Sequence, residues 1–292
     1  MQIQKSFKGQ SAYGKLYLVA TPIGNLEDMT FRAIQTLKEV NWIAAEDTRN
    51  TGLLLKHFDI PTKQISFHEH NAKEKIPDLI DLLKQGQNIA QVSDAGLPSI
   101  SDPGHDLVKA AIMEDIAVVT VPGASAGISA LIASGLAPQP HIFYGFLPRK
   151  SGQQKQFFES KKDYSETQIF YESPHRVADT LENMIEVYGD RSVVLVRELT
   201  KIYEEYQRGH ITELLESIAE TPLKGECLLI VEGASQEVEE KDEEDLFSEI
   251  RARLQQGIMK NQAIKEVAKI YQWNKSQLYA AYHEWEDNQF ND

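Results

Sequence analysis

The chain has one cysteine, Cys227, among its 292 residues. A lone thiol excludes an intramolecular disulfide framework and any cysteine-rich zinc cluster, which suits a reducing compartment. Its position inside the apolar run ECLLIVEG makes it an expected core residue. No uninterrupted apolar segment approaches membrane-spanning length, and the opening MQIQKSFKGQ lacks the apolar stretch of a secretory signal. A soluble cytoplasmic protein with no membrane partner is therefore expected.

Several motifs are missing as well. Neither G-x-G-x-x-G nor G-x-x-x-x-G-K-[ST] occurs, which excludes the common glycine-rich phosphate cradles. His68 and His70 stand two residues apart in SFHEHN, without the H-E-x-x-H spacing that sets two ligands on one helix face, so no metal is expected. GISAL and ESPHR offer no G-x-S-x-G elbow, which argues against a triad hydrolase. Overall positive charge is lacking too. The formal net charge of −14 argues against nonspecific nucleic-acid binding by the whole surface.

What is present is an ordinary globular composition, 41% hydrophobic and 25% charged, at a length that suits two domains better than one. Apolar, often β-branched runs at KLYLVAT, NWIAAED, QNIAQVSD and IAVVTVPG alternate with helical patterns such as MTFRAIQTLKEV and EKIPDLIDLLKQG. Strand alternating with helix predicts a mostly parallel sheet covered on both faces, over residues 14–121. From 124 to 235 the pattern changes. HIFYGFLP, TQIFYESP, SVVLVRELT, YEEYQRGHI and GECLLIVEG come with only two or three helices after the small-residue helix of PGASAGISALIASGL, which predicts a second α/β domain with a mixed sheet. An acidic connector is expected over 236–249, where eight acids stand against one lysine between Glu237 and Glu249. A helical module over 250–292 follows, in which Ile264, Val267, Ala268, Tyr271, Leu278 and Tyr282 form an apolar seam resembling a helix-turn-helix.

In open α/β sheets, ligands sit beyond the carboxyl ends of the strands. Four unusual loops fall there in this chain: TPIGN, AEDTRNTG, QVSDAGLPSISDPG and VPGASAG. Asp102 before Pro103 reads as a helix N-cap with proline at the first helical position. Asp94 has no such structural explanation and is read as a ligand contact. Either Asp47 or Thr48 suffices to cap the following helix, so Glu46, Asp47 and Arg49 together exceed what a cap requires.

These blocks, in order from Gly14 to Gly233 and joined by FYGFLPRK, YESPHR and VRELTKIYEE, resemble the ribosomal RNA small-subunit methyltransferase I family. That family lies within the tetrapyrrole-methylase (class III) S-adenosylmethionine-dependent superfamily. The resemblance implies two α/β domains of the tetrapyrrole-methylase type, an inter-domain cleft for S-adenosylmethionine, a homodimer, and 2′-O-methylation of a cytidine ribose in 16S ribosomal RNA or the small ribosomal subunit. It assigns cofactor contacts to Gly24, Asp94, Leu97, Ser125, Ala126 and Tyr171, with Pro22 and Ser101 nearby. A donor without a pyrophosphate also accounts for the missing phosphate cradle.

On the acceptor side, Glu46 or Asp47 can take a proton and Arg49 can hold a phosphate bidentately, and the sequence does not select among them. Arg149 with Lys150, and His175 or Arg176, are candidate contacts to the RNA backbone. In the last module six Lys/Arg between Ile250 and His283 face Glu266 alone, and Lys260, Lys265, Lys269 and Lys275 are read as an RNA-docking face. Two other readings remain open: a sibling enzyme that methylates a small molecule such as a tetrapyrrole, and a noncatalytic ribosome-assembly factor.

Overall fold

The protein is described by a computed structural model over residues 1–6, 12–100, 102–235, 242–271 and 273–289. Ser101 and most of the acidic run before Asp242 lie outside the described residues. The chain divides into two compact units, Met1–Ala234 and Ser235–Asp292.

The first unit opens with strands and helices in alternation: β1 (Leu16–Val19), α1 (Phe31–Glu39), β2 (Trp42–Ala45), α2 (Thr48–His57), β3 (Lys63–Ser66), α3 (Ala72–Lys84), β4 (Ile89–Val92), α4 (Gly104–Met113) and β5 (Val118–Val121). The five strands pair in the order β3-β2-β4-β1-β5, all parallel. Leu37 and Leu55 of α1 and α2 pack with Ile43 and Val92 on one face. Leu79, Leu83 and Leu107 of α3 and α4 pack with Leu16 and Ile89 on the other. This double coverage is why the central strands read as continuous apolar runs. The sequence patterns point to only four of these strands. The fifth, β3 (KQIS), is an edge strand with an exposed lysine and half-buried neighbours, so it carries no apolar run.

The same unit continues with α5 (Ala126–Ser134), β6 (His141–Phe146), α6 (Ser151–Glu159), β7 (Thr167–Glu172), α7 (Val177–Tyr188), β8 (Ser192–Arg197), β9 (Glu205–His210), α8 (Ile211–Glu220) and β10 (Cys227–Val231). The second sheet runs β6-β7-β10-β8-β9, with β6 parallel to β7 and the remaining pairs antiparallel, the mixed sheet expected. Alternation along β10 sends Cys227, Leu229 and Val231 into the core beneath α6–α8. Leu228 and Ile230 face Ala130 and Leu131 of α5 on the opposite side.

The second unit holds α9 (Glu243–Gln255), α10 (Lys260–Ile270) and α11 (Lys275–Gln289). Its core is built by Leu246, Phe247, Ile250, Ile264, Val267, Leu278 and Tyr282, with Tyr271, Trp273 and Trp285 packed against it. Here the boundary expected from sequence moves. Residues 242–249, read as connector, start α9: the Asp242 side chain accepts from the Asp245 backbone N–H at 2.9 Å. Three further acids occupy the first turn, where the helix dipole favours negative charge. The cations of this unit are partly committed internally. Lys260 pairs with Glu286, Arg253 with Glu249 and Glu266, and Arg251 lies 5.0 Å over the Trp285 ring. Lys265, Lys269 and Lys275 are exposed.

Candidate active site

The loops at the carboxyl edge of the first sheet are fastened to one another. After β1, Thr21 forms an antiparallel bridge with Gly96 of the loop after β4, the two backbone N–H groups reaching the opposite carbonyls at 3.0 and 3.1 Å. Gly96 has φ +77°, a conformation that favours glycine. The loop after β4 is held from both ends by carboxylates. Asp102 accepts from Gln91 Nε2 at 3.0 Å, from the Ser99 backbone N–H at 2.8 Å and from the Gly104 backbone N–H at 2.8 Å. The expected cap shifts by one residue: α4 begins at Gly104 with Pro103 at the N-cap position and no side-chain capping bond there, and Asp102, one residue earlier, reaches the first helical N–H at Gly104.

Asp94 does have a structural task, contrary to the expectation. Its carboxylate accepts from the Asp47 backbone N–H at 3.1 Å and from Asn50 Nδ2 at 2.9 Å, and its own N–H donates to Glu46 Oε2 at 3.3 Å. It ties the loop after β4 to the start of α2, and it is exposed rather than part of the cavity wall. Gly24 has a structural explanation as well. A Cβ there would stand 2.6 Å from Cγ of Lys201, whose ammonium is held by Glu198 and Glu226 at 3.0 Å each. The close approach that requires glycine is to Lys201.

A cavity of about 500 Å³ opens between these loops and the second sheet, within the range of small-molecule sites. From the first sheet it is lined by Glu46, Ala95, Leu97 and Asp102, and from the second by Tyr171, Glu172, Val196 and Leu228, with Ala126 at the start of α5. Of the residues assigned to the cofactor by resemblance, Leu97, Ala126 and Tyr171 line it. Pro22, Gly24, Asp94 and Ser125 do not. Burial raises the Tyr171 phenol, and a hydrogen bond from the Gly127 backbone opposes that shift and ties the ring to the first turn of α5. Ser125 is the N-cap of α5 without a side-chain capping bond, and with the Gly127 amide given to Tyr171 the remaining first-turn amides are suited to an anionic group. Cys227 also lines the wall, with burial pushing its thiol up to about 11, a core residue without thiolate character.

The acidic loop after β2 separates into two roles that the sequence left open. Asp47 caps α2 and receives Arg49 bidentately, Nε at 3.1 Å and Nη2 at 2.7 Å. The Arg49 hydrogen bonds lower its carboxyl to about 2. Glu46 faces the cavity, and its carboxyl is raised, first by burial and then by the like charges of Asp94, Asp102 and Asp47, against an opposing hydrogen bond from the Asp94 backbone. The Arg49 pairing favours the ionised form of one carboxylate, and burial with neighbouring like charge favours the protonated form of the other.

Beyond the cavity, Arg149, Lys150 and His175 are exposed. Arg176 is turned inward. It lies 3.3 Å from Glu172, whose side chain is fully buried, and donates to the Pro148 carbonyl at 2.7 Å. Glu172 also accepts from Thr180 Oγ1 at 2.9 Å. The sequence reading passed over Glu172, although it stands in the YESPHR block. It also passed over a spelling of G-x-S-x-G in Gly123-Ala124-Ser125-Ala126-Gly127. Ser125 there has φ −142°, extended rather than a strained elbow, and no histidine lines the cavity. His68 and His70, with ring centroids 5.9 Å apart, sit in a fifth edge loop after β3. Among the described residues no group of three or more His, Cys, Asp or Glu is arranged to hold a metal ion.

A model of the Tetrapyrrole (Corrin/Porphyrin) Methylases family matches residues 15–215. Uroporphyrin III C-methyltransferase from Thermus thermophilus, solved in complex with S-adenyl homocysteine, shares the fold at a TM-score of 0.52 and 18% identity, over 75% of this chain and 97% of that one. Two sheets around one cavity, with this family match, define a methylase of the tetrapyrrole type. The chain is 71% identical over 286 residues to Ribosomal RNA small subunit methyltransferase I of Streptococcus pyogenes serotype M1, covering 97% of this chain and 100% of that relative. It is 50% identical over 291 residues to the protein of the same name from Halalkalibacterium halodurans, with 97% and 100% covered. The chain belongs to the ribosomal RNA small subunit methyltransferase I family of tetrapyrrole methylases.

The split between the two acids is measurable. Carbon-13 NMR titration of side-chain carboxyls is expected to give a Glu46 midpoint above the ordinary glutamate range and an Asp47 midpoint of about 2. Arg49→Ala is expected to return Asp47 toward the ordinary aspartate value. Two ordinary midpoints in the unsubstituted protein would contradict the assignment.

Proposed function

We propose that this chain transfers a methyl group from S-adenosylmethionine to the 2′-hydroxyl of a cytidine ribose in 16S ribosomal RNA of the small subunit. The observation that carries the reading is the 71% identity, over 97% of the chain, to a relative named as a ribosomal RNA small subunit methyltransferase. When bound, S-adenosylmethionine supplies an activated methyl group, so the protein's tasks are to bind, orient and exclude water. Leu97, Ala126, Tyr171, Val196 and Leu228 offer the walls for an adenine and a thioether, and the uncapped first turn of α5 suits the carboxylate of the methionyl end.

A ribose hydroxyl is a weak nucleophile at neutral pH, and in this reading Glu46, which lines the cavity, takes its proton. Its raised carboxyl brings it nearer the working pH than an ordinary glutamate. Asp47 keeps its charge and holds the loop through Arg49, whose side chain is 88% exposed and able to meet a phosphate as well. Arg149, Lys150 and the His175 ring on the neighbouring loops, and Lys265, Lys269 and Lys275 in the helical unit, with Lys260 beside its partner Glu286, are the RNA contacts of this reading. Among the described residues no helix is long and apolar enough to cross a membrane. The reading takes the enzyme to be a cytoplasmic homodimer.

With small subunits as substrate, Glu46→Gln is expected to lower turnover by roughly 10²–10⁴-fold while the calorimetric affinity for S-adenosylmethionine stays unchanged. The base must be ionised to act. The wild-type rate is therefore expected to fall as pH drops through the raised Glu46 value, and the glutamine variant is expected to lack that limb. Equal turnover in the two proteins would remove Glu46 from the chemistry. Light scattering is expected to give twice the chain mass of 33.0 kDa, and the single mass would contradict the homodimer.

A further inference from the structure

Strand β6 contains a register shift that re-aims one ring. Along β6 and β7, Phe143 stands opposite Ile169, while Gly145 and Phe146 stand opposite Phe170 and Tyr171. Ile169 and Tyr171 share one face of the sheet, with the α5-side core, and Phe170 lies on the other. A regular strand would alternate, placing residue 145 on the face of Phe143 and turning residue 146 away. The extra residue, with Gly145 in the left-handed region at φ +69°, brings Phe146 back to the face of Tyr171. The two rings meet at 5.4 Å with an interplanar angle of 66°, and Tyr171 meets Phe143 at 5.0 Å.

The outcome is an aromatic ring that lines the cavity and yet remains 67% exposed. Packing does not require it there, since the ring buries little. The chain next to it is fixed: Leu147 is buried, and the Pro148 carbonyl accepts from Arg176 Nη2 at 2.7 Å and from Gln154 Nε2 at 3.0 Å. Arg149 and Lys150 follow directly, both exposed. An exposed aromatic face lining a cavity, with two exposed cations a few residues along the same anchored loop, is a combination that can hold an unstacked nucleotide, the face for a base and the cations for phosphates.

Resting on the functional reading above, we infer that Phe146 is the stacking platform for the base of the nucleotide whose ribose enters the cavity, with Arg149 and Lys150 on the adjoining phosphates. The donor's adenine is better served by the buried wall of Val196 and Leu228, whereas a rim ring meets what arrives from solvent. Every base has a π-face, so Phe146 contributes affinity for a single-stranded nucleotide and little choice of base.

Full-length Phe146→Ala, Phe146→Leu and Phe146→Trp are to be compared in methyl transfer to small subunits, in calorimetric S-adenosylmethionine binding and in thermal unfolding. The alanine and leucine variants are expected to raise KM for the subunit about tenfold, with cofactor affinity and unfolding midpoint unchanged. The tryptophan variant is expected to stay near wild type. A leucine variant equal to wild type would show that any apolar group suffices and overturn the stacking role. Cofactor affinity falling in step with KM would place the ring on the donor instead. An alanine variant with wild-type KM, in a preparation where the unsubstituted chain is active, overturns this inference alone; an unsubstituted chain unable to methylate small subunits overturns the functional reading and this inference with it.

Discussion

The carboxylates of Asp94 and Asp102 hold the loop after β4 from its two ends, and that loop supplies Ala95 and Leu97 to the cavity wall. The strands of a parallel sheet end in backbone groups that the ladder no longer pairs, and the connecting chain must satisfy them or collapse onto them. Asp102 meets the need by gathering Gln91, Ser99 and Gly104, and Asp94 by reaching across to the backbone of Asp47 and the side chain of Asn50. The Thr21–Gly96 bridge closes the third side. With those three fastenings in place, Leu97 and Ala95 face the second sheet across an open space.

The same fastenings set the electrostatics. Bringing Asp94 and Asp102 to one edge crowds negative charge around Glu46, which is half-buried as well, and both effects favour its protonated form. Asp47 belongs to the same crowd, yet the adjacent Arg49 holds it ionised. Two neighbouring acids therefore differ in basicity because one faces an apolar cavity and the other a guanidinium. In the functional reading this difference is what separates the proton acceptor from the residue that shapes its loop.

Much of the framework is legible in the residues. The doubly covered sheet shows in runs such as LYLV and IAQV, and the mixed sheet shows in five strands with few intervening helices. What escaped was whatever lacks an apolar signature or depends on a partner far along the chain. KQIS, at an exposed edge, has no pattern to read. Asp94 looked unemployed because its partners, Asp47 and Asn50, are more than forty positions away. Gly24 reads as a ligand approach, yet Lys201 stands against it, and Arg176 reads as available, yet it pairs with the buried Glu172. The acidic run before residue 250 is a case of sign without context. Linkers and helix starts both favour acids, and only the buried Leu246 and Phe247 distinguish them.

In the functional reading, donor and acceptor meet at Glu46 in the cavity between the two sheets. The decisive experiment is a crystal structure of the full chain with S-adenosylhomocysteine. The ligand is expected between the sheets, in contact with Leu97, Ala126 and Tyr171, its sulfur turned toward the Glu46 side and Asp94 out of contact. Ligand bound outside this cavity, or bound within it against Asp47 and Arg49 with Glu46 remote, would remove Glu46 from the reaction.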